Sequence, residues 1–170
     1  GNSKLDYMTF AQRYYGNSYT LTAYESRAGD TVAIPDTCNG KPVAAIADGT
    51  TLMGMVLQTG VFMGHTEIER VIVGENLKTV GIGAFSGCTS LESIDLGSVT
   101  GLGKWAFQNC SSLAEAELNE GITELADYVF TRCASLEDIA LPAGLVSIGS
   151  STFSGCSALQ SISLPSGLES

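Results

Sequence analysis

The side chains able to do covalent chemistry in this chain are few and regularly spaced. His65 is its single histidine, and Cys88, Cys110, Cys133 and Cys156 recur every 22 or 23 residues, with Cys38 outside that register. A thiol–imidazole couple needs thiol and base within hydrogen-bond reach, an orienting group and an open pocket. Only His65 and Cys88 offer the pairing, at equivalent positions of adjacent repeat units. That column should be interior, so His65 reads as a structural or part-exposed residue rather than a base. A serine nucleophile would depend on the same histidine. The cysteines lack the paired short spacings of a zinc site. Stacked about 5 Å apart they could form neighbouring disulfides on distance alone, but small apolar fillers fit one in-register column better. Phosphate-binding loops and dinucleotide fingerprints are absent. The sequence therefore predicts no catalytic residues, no enzyme activity and no cofactor.

What positions these residues is a repeat. Phe62, Phe85, Phe107, Phe130 and Phe153 fall 23, 22, 23 and 23 residues apart, and three residues beyond each cysteine stands Leu91, Leu113, Leu136 or Leu159. A unit this short cannot bury its apolar side alone, so copies must stack as a solenoid around one shared core. In the copy from Leu136 to Cys156, Ile139-Ala140-Leu141 alternates as a short strand and Pro142 with Gly144 turns the chain. Leu145 and Ile148 form a second inward pair, and Phe153 with Cys156 suits an irregular or 3₁₀ turn.

Three segments follow from this pattern. Residues 1–30 do not repeat. Phe10 to Tyr24 reads as a hairpin around Gly16-Asn17-Ser18, while Ser3, Asp6 and the spacing of Leu5, Met8 and Ala11 also suit a short helix; either would cap the first coil. Residues 31–60 read as an opening repeat with an insertion, since Ile46 to Phe62 takes 16 residues where Val80 to Phe85 takes five. The inserted Leu52, Met53, Met55, Val56 and Leu57 are apolar enough to seal the N-terminal end of the core, or to form a methionine-rich contact surface. Residues 61–170 are the regular repeats, the last incomplete.

Carboxylates supply the remaining chemistry. In each Leu-x-x-Ile-x-Leu strand the x positions point outward, and stacking aligns them in columns. One column reads Arg70, Ser93, Glu115, Asp138 and Ser161; the next Ile72, Asp95, Glu117, Ala140 and Ser163; a flanking one Glu69, Glu92, Ala114, Glu137 and Gln160. Asp95, Glu115, Glu117 and Asp138 form a compact quartet, with Glu92 and Glu137 beside it. Two like charges about 5 Å apart repel by only about 0.8 kcal/mol in water, so a solvated face needs no ligand to persist. The cluster also suits a cationic protein surface or, more weakly, Ca²⁺ held by carboxylate oxygens of Asp95, Glu115, Glu117 and Asp138.

The units Ile82-Gly-Ala-Phe85-Ser-Gly-Cys88 with Ile94-Asp-Leu96, and Ile148-Gly149 with Phe153-Ser-Gly-Cys156 and Leu164-Pro165, resemble the BspA-type leucine-rich repeats of bacterial cell-surface and secreted proteins. The match covers residues 61–168, and Thr31-Val-Ala-Ile34-Pro35 through Ile46 looks like the opening repeat of such arrays. The resemblance implies a leucine-rich repeat solenoid, α/β or mainly β. It would be a right-handed superhelix with short strands on one face and irregular or 3₁₀ turns on the other, behind an N-terminal β-hairpin-like cap. It implies a secreted or surface-displayed protein working by adhesion or recognition, and no catalytic residues.

Composition bounds the partners. Eighteen acids against eight bases give a net charge of −10, with ten of the acids but only Lys104 and Arg132 among residues 86–170. Nucleic acid is thereby disfavoured. Apolar residues make up 44% of the chain, yet no apolar run approaches the roughly 18 residues of a membrane span. The chain opens Gly1-Asn2-Ser3 without methionine or an apolar leader, as a trimmed chain would. The expected function is non-catalytic recognition of a protein or glycan through the strand face; the alternative is a structural spacer with no ligand of its own. Leu159, Ile162, Leu164 and Leu168 begin a coil that no later repeat here covers, which predicts either a longer array of which this chain is a piece or self-association through the C-terminal repeat.

Overall fold

The computed structural model describes residues 2–5, 7–12, 16–27, 29–52, 55–56 and 60–170. Its strands are β1 (Asn2–Leu5), β2 (Met8–Gln12), β3 (Tyr19–Tyr24), β4 (Thr31–Ala33), β5 (Thr37–Cys38), β6 (Lys41–Ile46), β7 (Thr51–Leu52), β8 (Met55–Val56), β9 (Arg70–Ile72), β10 (Thr79–Val80), β11 (Ser93–Leu96), β12 (Gly101–Leu102), β13 (Glu115–Leu118), β14 (Glu124–Leu125) and β15 (Ser147–Ile148). The chain is a mainly β solenoid of about five turns, with no helix among the described residues.

Near-equal repeat lengths set each residue beside its counterpart one coil on. β4, β9, β11 and β13 form a parallel ladder in which Val32 pairs with Val71, Ser93 with both Arg70 and Glu115, and Leu96 with Leu118. The inward residues Val71, Ile94, Leu96, Ala116 and Leu118 are buried. The second inward pair forms a ladder of its own: β6, β10 and β12 align Ala45, Thr79 and Gly101, then Ile46, Val80 and Leu102. Leu125 and Ile148 of the following coils pair separately, in a two-stranded parallel sheet of β14 and β15. Close approach requires glycine there, because a Cβ on Gly81 would lie 2.2 Å from the Ala47 carbonyl oxygen and one on Gly103 2.5 Å from the Ile82 nitrogen.

The N-terminal residues extend this second ladder. β1, β2 and β3 are antiparallel, and β3 joins β6 in parallel through Leu21 and Ile46. Met8 to Gln12, which helical spacing also suited, is a strand: pairing with β3 satisfies its amides and buries Met8 and Phe10. The insertion contains a small antiparallel pair, β7 with β8. Met53 and Leu57 lie outside the described residues.

The return side of each coil is built of turns rather than 3₁₀ helix, for a reason visible in the amides. Phe62, Phe85 and Phe107 donate their backbone N–H groups to the next coil at Ala84, Ala106 and Val129, at 2.8, 2.8 and 2.9 Å. Gly64, Gly87 and Asn109 do the same to Ser86, Gln108 and Thr131. The intervening amides close local turns, as Ser86 does to Gly83 and Cys88 to Phe85. A 3₁₀ helix would turn every amide inward on the coil; this return gives alternate ones to its neighbour. The alternation places residues in left-handed backbone at two repeat positions: Gly83, Trp105, Tyr128 and Ser151 two before Phe in the last four coils, and Gly64, Gly87, Asn109, Arg132 and Gly155 two after in all five. Such φ values cost a side-chain-bearing residue about 1–2 kcal/mol each, offset here by hydrogen bonds between coils.

The core is a column of parallel rings, one per coil. Phe62, Phe85, Phe107, Phe130 and Phe153 stack at centroid distances of 5.0, 5.3, 5.6 and 6.0 Å with interplanar angles of 13° or less. The coil spacing of about 4.8 Å holds the rings parallel, at centroid separations within the range of the stacked pairs that aromatics favour. Towards the C terminus the column loosens. Glu115 and Asp138 share only an isolated bridge, residues 161–164 form no ladder, and Leu164 is 60% exposed. Phe107 is fully buried between two rings, so Phe107→Ala should destabilise the fold by about 3–5 kcal/mol in urea unfolding, as truncation of a core aromatic does. An unchanged midpoint would mean that the ring column is not the core.

Candidate recognition surface

The register brings the outward acids together as the columns require. Asp95 stands beside Glu117, and Glu115 stands between Ser93 and Asp138. Glu92 receives the Ala114 amide and Ala114 that of Glu137, so Ala114 separates those two carboxylates along their column. All six acids are exposed, and Arg70 lies beside Ser93. Asp95 is held in place because its Oδ1 accepts the Gly97 amide at 2.8 Å.

An apolar contact adjoins these charges. Ile72, at an outward position of β9, is 59% exposed and borders a recess of about 510 Å³ that also includes Val73, Glu75, Asp95, Gly97 and Ser98. The only signal for it in the sequence is an isoleucine in a column otherwise made of acids and small residues. The calcium reading of Asp95, Glu115, Glu117 and Asp138 lacks geometric support: among the described residues no three His, Cys, Asp or Glu are placed to hold a metal ion. Parallel strands project their outward side chains alongside one another into solvent rather than towards a common centre.

The cysteine column is interior. Cys88, Cys110 and Cys133 are fully buried, Cys156 and Cys38 nearly so, and all five are free thiols. Each column thiol donates to the carbonyl of a core phenylalanine in the preceding coil: Cys88 to Phe62 and Cys110 to Phe85 at 3.1 Å, Cys133 to Phe107 and Cys156 to Phe130 at 3.2 Å. Cysteine thus fills a small apolar site while giving a weak donor to a buried oxygen. Burial pushes the Cys88 and Cys133 thiols up to about 12 and Cys110 well above the ordinary value. That is the reverse of an activated nucleophile.

His65, in the position cysteine fills elsewhere, is engaged by a carboxylate and an aromatic ring. Its Nδ1 lies 2.9 Å from Glu67 Oε1, which also accepts Ser26 Oγ at 2.5 Å, and its ring meets Tyr24 edge-on at 4.8 Å. Burial raises the Glu67 carboxyl, but the hydrogen bonds from Ser26 and His65 outweigh it and leave the group below its usual value. The trio ties the N-terminal strands to the first regular coil.

Six tandem copies of the BspA type Leucine rich repeat region match residues 56–170. The chain belongs to the BspA-type leucine-rich repeat family. It is similar along 97% of its length to the leucine-rich repeat protein TpLRR of T. pallidum, at 27% identity and a TM-score of 0.84, and spans 72% of that chain. A leucine rich cell surface protein from Faecalibacterium prausnitzii shares 25% identity with a TM-score of 0.54 over 95% of this chain and 54% of its own. The pneumococcal vaccine antigen PcpA shares the fold at 18% identity and a TM-score of 0.58, over 91% of this chain and 47% of its own. No curated protein sequence matches. Repeats of this family serve as protein-interaction or surface modules.

The thiol burial has a measurable consequence. The unfolded chain releases thiol protons near the ordinary value of 9.0, whereas folded Cys88 and Cys133 hold theirs to about 12. The folded state therefore binds more protons across that interval. Stability should be complete below about pH 9 and fall as pH rises towards 12, and Cys88→Ala/Cys133→Ala should make the decline shallower. Urea unfolding at stepped pH checks this. A thiol reagent should modify Cys110 and Cys133 slowly in the native protein and rapidly in denaturant.

Proposed function

We propose that this chain is a non-catalytic recognition module, secreted or displayed on a bacterial surface, that binds a cationic protein surface through its strand face. The observation that carries the reading is the register. It sets Asp95 beside Glu117 and Glu115 beside Asp138, next to the exposed Ile72. Opposite charge would steer the partner and fix its orientation, while an apolar side chain seated against Ile72 would add desolvated area. The family is typically surface-associated in bacteria, and leucine-rich repeat proteins are generally non-catalytic, which supports both parts of the reading. No helix among the described residues is long and apolar enough to cross a membrane.

A structural spacer is the second reading, favoured by the small outward residues Ala140, Ser161 and Ser163 at the C-terminal end of the same columns. Capture from surface extracts separates the two. Wild-type protein should retain basic proteins that Glu115→Lys/Glu117→Lys loses, with affinity lowered about tenfold or more and weakening as salt shortens the screening length below about 10 Å. Retention insensitive to both salt and charge reversal would move the site off the strand face, and no retention at all would favour the spacer. Self-association through the last coil is proposed on the exposure of Leu164 and the unladdered residues 161–164. It should appear as a concentration-dependent mass in light scattering that Ile162→Lys abolishes.

A further inference from the structure

The return side carries a second feature that the strand-face reading does not use. Trp105 and Tyr128 stack across adjacent coils with ring centroids 5.5 Å apart and planes 7° from parallel. Both occupy the left-handed position two before Phe, with φ of 58° and 60°, where bulky residues are disfavoured. The fold does not ask for aromatics there: Gly83 and Ser151 hold the same position in the flanking coils. The two rings therefore form a block bordered along the stack by a glycine and a serine.

Both rings are mostly buried but reach the surface, and neither the indole N–H nor the phenol hydroxyl has a hydrogen-bond partner among the described residues. The preceding residue in each coil completes a polar border. Lys104 Nζ lies 3.5 Å from Asp127 Oδ2, while Asp127 Oδ1 accepts the Ser150 amide at 2.8 Å, so the carboxylate is fixed from two sides. Lys104 and Asp127, each the residue before one of the rings, also line a recess of about 330 Å³ together with Glu124, Ser147 and Gly149; the rings themselves lie outside its lining.

We infer that the Trp105–Tyr128 block, with the recess at Lys104 and Asp127, is a binding platform for a neutral oligosaccharide. A pyranose ring has an apolar C–H face and an edge of hydroxyls that both donate and accept. The stacked rings cover each other's inner faces, so the aromatic surface for the sugar face is that of an outer ring face, beside Gly83 or Ser151. Asp127 and Glu124 can accept hydroxyl protons, and Lys104, the indole N–H and the Tyr128 hydroxyl can donate. A few polar groups near an apolar wall are the ordinary make-up of a small-ligand site. A basic peptide would be drawn to the more acidic strand face, and a net charge of −10 repels the phosphates of a nucleic acid despite the affinity of its bases for aromatic planes. Residues held in sparsely populated backbone are also where a fold accepts local cost for another end.

The test is direct because Trp105 is the only tryptophan in the chain. Cellohexaose or chitohexaose should shift or quench its emission in a saturable way. Trp105→Gly and Tyr128→Ser, which install residues already accepted at Gly83 and Ser151, should keep the wild-type melting temperature within a few degrees yet weaken binding about tenfold or more by calorimetry. Glu115→Lys/Glu117→Lys should leave sugar binding intact, which separates this platform from the strand face. Unchanged emission and no heat with either sugar at millimolar concentration would overturn the inference. So would full affinity in Trp105→Gly, or a response of Trp105 to a nonaproline peptide but to neither sugar.

Discussion

Each coil of this solenoid leaves backbone amides directed along the stack, and only the adjacent coil can accept them. The strand ladders do this on one side and the alternate amides of the return on the other, so each coil depends on a neighbour for polar satisfaction as well as for apolar cover. Much else in the structure follows. Near-constant repeat length keeps donors opposite acceptors, glycine appears where coils approach within the reach of a Cβ, and left-handed residues recur where the amide direction must flip. The phenylalanine column and the thiol-to-carbonyl bonds fill and satisfy the interior that this stacking encloses.

Placing acids on the strand face costs the fold little under this arrangement. Outward carboxylates on adjacent strands repel by less than about 1 kcal/mol per pair in water, while the ladder beneath them is held by inward leucines and isoleucines. The outward positions are free to vary without changing register. A surface built this way can specify a partner by charge while its scaffold stays the same, and the return side can carry an unrelated surface for the same reason.

The sequence disclosed what depends on period and little of what depends on backbone direction. The Phe, Cys and Leu columns, the burial of Ile94 and Leu96, and the pairing of Asp95 with Glu117 all follow from counting residues and alternating sides. The second ladder did not, because pairs such as Thr79-Val80 and Gly101-Leu102 are too short to show alternation. The return was open between irregular turns and 3₁₀ helix, since spacing alone does not say whether an amide bonds within its coil or to the next. At the N terminus the spacing of Leu5, Met8 and Ala11 suited a helix and a strand alike, and pairing between β2 and β3 decided it. Trp105 and Tyr128 share one repeat position, but spacing alone does not say that their rings meet and reach the surface.

The gradual widening of the ring column from 5.0 to 6.0 Å has a mechanical meaning. Because a coil touches only its neighbours, tension applied to the chain meets no long-range tie that would make the whole rod yield at once. The loosest junction would part first, and each parted coil of 22 or 23 residues would release a contour length of about 75–80 Å. Such a rod would lengthen in steps and reseat in steps, with its remaining coils keeping their shape.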